Sequence, residues 1–262
     1  MGADKNLPIL VTGASGYIAS WIVNYLLEEG YQVIGTVRSK KAFAKIEHLQ
    51  KMQEKYPDML NLVEADLMEP GSFDEAAKGC QVVIHTASPF FIQKIKDAQK
   101  QLIEPALQGT KNVLNAVNNS GTVERVVLTS SCAAIYGDNA DIKLIEGGVY
   151  TEEHWNTSSS LAHNPYSYSK TVAEKAAWEM QKASGKWTLT TINPGFVMGP
   201  SLSSRSDGTS QTYMIDLMNG KFKSGAPDLH FGVVDVRDVA LAHVKAALNY
   251  RASGRHICVG EH

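Results

Sequence analysis

Long apolar runs are missing from this 262-residue chain. No stretch reaches the ~20 apolar residues needed to cross a bilayer, and the amino terminus has no signal-peptide hydrophobic segment. No membrane partner is expected. The start, Met1-Gly2-Ala3-Asp4-Lys5-Asn6, resembles a myristoylation site but has no Ser or Thr at position 6. Cysteine is scarce too: Cys80, Cys132 and Cys258 form an odd, widely spaced set. That excludes a disulfide framework and metal-ligand spacing, and fits a reduced, cytoplasmic setting. Charge of one sign is also lacking. Twenty-five basic and 27 acidic residues are interspersed for a net charge of −2, so there is no basic field for nucleic acid. Repeats, low-complexity tracts and linker-like segments are absent.

What the chain has is 44% hydrophobic residues, enough for a sizeable core, in alternating strand-like and helix-like segments. Residues 7–12 are a short run rich in branched side chains, as expected of a buried strand. Gly13-Ala14-Ser15-Gly16-Tyr17-Ile18-Ala19 follows, then an amphipathic segment over 21–27 ended by Gly30, then a second strand over 31–37. Glycines between a strand and a helix permit a tight turn and let a pyrophosphate approach N–H groups at the positive helix end. The spacing is Gly-x-x-Gly-x-x-Ala, not Gly-x-Gly-x-x-Gly, yet it stands in the required strand–helix context. Gly13, Ser15, Gly16, Tyr17 and Ile18 are candidate cofactor contacts.

No carboxylate closes the second strand. An acidic residue there selects NAD through the ribose 2′-hydroxyl, whereas arginine suits a 2′-phosphate. This chain offers Arg38-Ser39-Lys40-Lys41, with Lys45 one helical turn on. NADP(H) is the expected cofactor, and a solvated basic loop is the bland alternative. A third strand over 60–65 ends in Asp66-Leu67, where a carboxylate either accepts from an adenine amino group or simply ends the strand. A fourth, over 81–85, precedes the small residues Thr86, Ala87 and Ser88, which leave room for a dinucleotide to cross the sheet edge. His85 reads as a packed histidine, and Thr157-Ser158-Ser159-Ser160 as a polar loop.

Tyr166 and Lys170 lie four residues apart at the head of a helix-like segment, so they share one face. A phenol is a poor acid at neutral pH until a cation stabilises its phenolate. A unit charge ~4 Å away at an effective dielectric of ~20 supplies roughly 4 kcal/mol, or about 3 pKa units. Lys170 is therefore expected to draw Tyr166 toward operating pH, where general acid catalysis works best.

With these residues in hand, the chain resembles an extended short-chain dehydrogenase/reductase. It is most similar to the branch holding dihydroflavonol reductases, cinnamoyl-CoA reductases and yeast-type aldehyde/ketone reductases. Carrying the likeness are Thr36-Val37-Arg38, His85-Thr86-Ala87-Ser88-Pro89-Phe90, Leu128-Thr129-Ser130-Ser131, Glu152-Glu153-His154-Trp155 and Asn193-Pro194-Gly195. The run from Asp235 to His243 and Gly254-Arg255-His256-Ile257-Cys258-Val259 complete the set. The resemblance implies a Ser–Tyr–Lys catalytic set of Ser131, Tyr166 and Lys170, with Ser130 the rival of Ser131. It further implies that Arg38 and Lys45 hold the 2′-phosphate and that Asp66 with Leu67 borders the adenine. Thr86, Ala87 and Ser88 would line ribose and pyrophosphate, Lys170 would bind the nicotinamide ribose, and residues 194–197, Pro194 and Val197 among them, would place the carboxamide. Sugar epimerases and dehydratases share the fold, but they typically carry glycine in place of Ala19.

The expected fold is α/β: a doubly wound Rossmann-type parallel sheet with a small substrate-binding lobe. The expected organisation is one unit over 1–262, with a dinucleotide lobe mainly 1–194 and a substrate lobe mainly 195–230 with the 136–163 loop. The implied activity is reversible NADPH-dependent reduction of a small-molecule aldehyde or ketone. The alternatives are a non-catalytic NADP-binding regulatory module and a sugar-nucleotide epimerase or dehydratase. Phe90, Phe91, Phe196, Met198 and Met214 are candidates for an apolar substrate wall or for core, and Arg205 for an anionic substrate or a loop charge. Branch members usually run some tens of residues beyond the segment matching 254–259. Either a carboxyl-terminal segment is lacking here or the lobe is pared down. A helix is expected over 94–119, and in relatives such helices pair across a two-fold axis, so both a monomer and a homodimer are allowed.

Overall fold

The computed structural model describes residues 3–88, 95–204, 208–225 and 232–260. Seven strands form one parallel sheet in the order β3-β2-β1-β4-β5-β6-β9. These are β1 (Ile9–Thr12), β2 (Val33–Val37), β3 (Leu60–Glu64), β4 (Val82–His85), β5 (Arg125–Thr129), β6 (Thr188–Pro194) and β9 (Gly254–Cys258). β1 is buried along its whole length, and its side chains alternate between the faces. Ile9 and Val11 enter one core while Leu10 enters the other. Each such fully buried branched side chain contributes roughly 1.5–3 kcal/mol.

The first core is covered by α1 (Tyr17–Glu28), α2 (Phe43–Lys55) and α7 (Val236–Leu248). The second lies under α3 (Asp74–Ala77), α4 (Glu104–Ser120) and α5 (Pro165–Ser184). Helices on both faces make the sheet doubly wound, as the sequence leads one to expect. The chain reverses its direction of travel between β1 and β4, so the crevice beyond their carboxyl ends is where a ligand belongs.

Helix ends follow local chemistry. α5 starts with Pro165 in its first turn and stops at Gly185, whose φ of 62° is left-handed. The helix expected over 94–119 differs at its start: a π-helical turn (Gln99–Ile103) leads into α4. Pro105 lacks an N–H and its ring crowds the carbonyl four residues back, so the regular ladder begins only there.

Residues after β6 form a small second layer. β7 (Phe196–Met198) pairs in parallel with β8 (Val233–Asp235), and α6 (Thr209–Met218) packs against β7. The chain then returns through α7, which lies on α1, to β9 at the sheet edge. The main sheet thus takes its last strand from beyond the 195–230 segment.

Candidate active site

The crevice at the carboxyl ends of β1, β2 and β4 is built by the glycine turn. Gly13 has φ +66°, and a Cβ on it would meet Ala87 Cα and Cβ at 3.1 Å, so glycine answers both a turn and a close approach. Thr36 pins the turn from β2, its Oγ1 accepting from Gly13 N at 3.0 Å and its carbonyl from Ala14 N at 2.8 Å. On the other side Thr86 Oγ1 donates to the Thr12 carbonyl, and Thr12 Oγ1 accepts from Ala87 N. α1 begins at Tyr17 with no side-chain cap and no acidic residue in its first turn. Ser15, Gly16, Tyr17 and Ile18 lie partly exposed at that helix start. An uncapped helix N-terminus above a glycine turn fits a pyrophosphate. Ala19 is buried where the helix meets the sheet.

Arg38 and Lys45 are both exposed beyond β2. A carboxylate the sequence reading passed over, Glu64 at the end of β3, accepts from Lys40 N at 2.6 Å and fixes this basic loop. Asp66 Oδ1 accepts from Met68 N at 2.8 Å, so it also ends its strand in a turn. Leu67 is half-buried, its carbonyl accepting from Asn112 Nδ2 at 2.7 Å. Pro194 and Val197 are buried at the end of β6 and in β7, offering backbone rather than exposed side chains.

Ser131, Tyr166 and Lys170 come together. Ser131 is hydrogen-bonded to the Tyr166 side chain, a contact that favours the phenolate. Lys170 Nζ lies 5.9 Å from the Tyr166 ring centroid and donates to Ser88 Oγ at 3.2 Å. Ser130 is separate: it is buried and donates from Oγ to Glu174 Oε2 at 2.5 Å. Ser131, not Ser130, is the serine that meets Tyr166.

The electrostatics differ from the sequence expectation. Burial raises the Tyr166 phenol above its ordinary 10, and the opposing influence is Ser131, not Lys170. Lys170 is itself buried, which lowers it to about 8 against a pull upward from Glu174. Desolvation disfavours both charged forms and is the largest influence on each. His85 is packed, as read. Burial first, and the Lys170 charge second, lower it to about 3, and Nδ1 pairs with Thr12 Oγ1 at 2.8 Å. Cys132 is buried, its thiol pushed up to about 12 by desolvation.

Sequence reasoning missed Glu174. Fully buried, it stands one helical turn beyond Lys170 and accepts from Ser130, Trp178, Thr191, Asn193 and Arg255. The signal was there as a third residue at four-residue spacing after 166 and 170. Trp155 and Arg255 meet beside it: the Arg255 guanidinium stacks 3.8 Å from the Trp155 ring centroid.

In the lobe, Tyr17 Oη donates to the Gly199 carbonyl at 2.6 Å and Trp21 Nε1 to the Pro200 carbonyl at 2.9 Å. Next to this latch lies a cavity of about 240 Å³ lined by Tyr17, Val197, Met198, Gln211, Met214 and Ile215 among others. Of the expected apolar wall, Met198 and Met214 line it, while Phe196 packs edge-on against Tyr213. Phe90, Phe91 and Arg205 lie outside the described residues.

Residues 9–260 match the model of the "NAD dependent epimerase/dehydratase family". The chain belongs to that family. Within it, the chain falls in the cinnamoyl-CoA reductase and dihydroflavonol reductase branch of the extended short-chain dehydrogenases/reductases. Cinnamoyl-CoA reductase CAD2 of Medicago truncatula is 44% identical over 254 residues, covering 96% of this chain and 75% of that one. Tetraketide alpha-pyrone reductase 1 of Arabidopsis thaliana is 40% identical over 254 residues, with 95% and 75% covered. Yeast methylglyoxal/isovaleraldehyde reductase Gre2, solved complexed with NADPH, superposes with a TM-score of 0.84 at 34% identity, covering 97% and 78%. The relatives are oxidoreductases, and so is this family member. Among the described residues no helix is long and apolar enough to cross a membrane, and no acidic, His or Cys cluster is placed to hold a metal.

Proposed function

We propose that this chain reduces an aldehyde or ketone to the alcohol, reversibly, with NADPH as reductant and Ser131, Tyr166 and Lys170 as the reacting set. One observation carries the reading: Ser131 and Tyr166 share a hydrogen bond, and Lys170 reaches from the same helix face to Ser88 beside the glycine turn. The reductase names of the relatives and the NADPH in the Gre2 structure support it.

NADPH, when bound, supplies the hydride. Its phosphates suit the turn at Gly13, Ser15, Gly16, Tyr17 and Ile18, its 2′-phosphate Arg38 and Lys45, and its adenine the Asp66–Leu67 edge. Thr86, Ala87 and Ser88 suit its sugars, Lys170 and Tyr166 the nicotinamide ribose, and Pro194 and Val197 the carboxamide. The rest is the work of the protein. Ser131 and Tyr166 donate hydrogen bonds to the substrate carbonyl oxygen. Burial keeps the phenol protonated at neutral pH, so Tyr166 has a proton to give as the alkoxide develops. Such a positioned acid typically contributes ~10²–10⁴-fold, and the paired donors add electrostatic stabilisation. Lys170 supplies positive charge at the same place while its pKa of about 8 keeps it mostly protonated near pH 7.

The cavity bounded by Met198, Met214 and Ile215 suits carbonyl compounds with apolar groups. We read the chain as one unit, with the dinucleotide lobe mainly 1–194, the substrate lobe mainly 195–230 with the 136–163 loop, and a cytoplasmic location. The test is NADPH depletion over a panel of aldehydes and ketones, with NADH in parallel. Stoichiometric consumption favouring NADPH is expected. Turnover of a sugar nucleotide without net NADPH loss would overturn the reading.

A further inference from the structure

We propose that Glu174, held by Arg255, is a positioning residue for carbonyl reduction, fixing the Ser131 backbone and the charge state of Lys170 from beneath. The inference rests on the Ser131–Tyr166–Lys170 reading and deepens it. Glu174 has no solvent exposure, and a lone carboxylate in such a place is costly unless fully paired. It is fully paired. Oε1 accepts from Arg255 Nε at 2.6 Å and Oε2 from Asn193 Nδ2 at 2.8 Å, with Ser130, Thr191 and Trp178 completing the shell.

Two arms run from this carboxylate to the reacting set. Asn193 Nδ2 also donates to the Ser131 carbonyl at 3.1 Å, and Ser130 is the adjoining residue, so the backbone that aims Ser131 hangs on Glu174. Lys170 stands one turn earlier on α5, on the same face, where an anion favours its charged form. Arg255 completes the frame from β9. It donates to the carbonyls of Ala134 behind Ser131, Glu152 and His154, and stacks on Trp155. One buried ion pair therefore joins β5's exit loop, the 152–155 loop, α5 and β9. The groups facing Lys170 are Tyr166 and Glu174 on α5, His85 on β4, which stays neutral, and the Ser88 hydroxyl.

With Glu174 kept ionised by its bonds from Asn193, Ser130 and Thr191, opposite charge changes in this pair should move Lys170 oppositely, whereas a merely structural role would damage both variants alike. The experiment is the pH dependence of kcat for wild type, Glu174→Gln and Arg255→Gln, with Tyr166→Phe alongside. In this proposal Lys170 sets the basic limb, since burial lowers its ammonium and raises the Tyr166 phenol. Glu174→Gln removes the anion and should bring the limb down by about one pH unit; Arg255→Gln removes a cation and should carry it up by a similar amount. Limbs that stay in place, or move the same way, would overturn the proposal while loss of turnover in Tyr166→Phe still upheld the underlying reading. Normal turnover in Tyr166→Phe would instead sink that reading itself. If Glu174→Gln does not fold, Arg255→Gln decides alone, by whether its limb rises.

Discussion

Lys170 Nζ donates to Ser88 Oγ at 3.2 Å, joining the helix that carries Tyr166 to the loop after β4. This places a buried ammonium where the nucleotide crevice meets the proposed reacting groups. It also carries a cost that can be measured.

Burial lowers Lys170 from its ordinary 10.5 to about 8. Below pH 8 the folded protein holds a charge that the unfolded chain holds more easily, so the penalty is fully present there. It disappears as the pH rises from 8 through 10.5, where both states lose the proton. Lys170→Met should therefore stabilise the fold at neutral pH by about 1–3 kcal/mol, after allowance for the lost Ser88 bond. The gain should vanish above pH 10.5, and turnover should be lost throughout. Urea unfolding across this range checks it; a variant less stable at every pH contradicts it.

Cofactor choice is expected to rest on an exposed charge. Arg38→Ala should raise KM for NADPH about 10–100-fold, as expected for one charge-assisted phosphate contact. KM for NADH should change little. Parallel kinetics with the two cofactors tests this, and equal losses would take the 2′-phosphate role away from Arg38.

Gly195 tests the link between the sheet and the small layer. A Cβ there would overlap the backbone carbonyl of Gly232, which accepts from Phe196 N at 2.7 Å. Backbone cannot swing aside as a side chain can. Gly195→Ala should cost about 1–3 kcal/mol of stability, the usual price of overpacking, read as a lower midpoint in thermal unfolding. An unchanged midpoint would show that the β7–β8 layer shifts freely.

The first βαβ unit was legible to within a few residues, because a buried branched run, a glycine turn and an amphipathic segment each have one local meaning. That Tyr166 and Lys170 share a helix face was legible from their spacing, whereas the nearness of Ser131 to Tyr166 depends on the fold. Their electrostatics were not legible. Whether Lys170 lowers the phenol or is itself lowered depends on burial, which the assembled fold decides. The Glu174–Arg255 pair joins residues 81 positions apart and leaves no local pattern. The late start of α4 could have been read from Pro105. The return of β9 to the sheet edge could not, since four half-buried residues around the exposed His256 carry no unambiguous period.

The most direct test is Tyr166→Phe, which removes one hydroxyl and keeps the ring. NADPH affinity, measured by fluorescence titration, should stay within about threefold of wild type, while kcat should fall by ~10²–10⁴-fold at neutral pH. A variant that binds NADPH and reduces the same carbonyl compounds at near wild-type rate would contradict proton delivery from Tyr166.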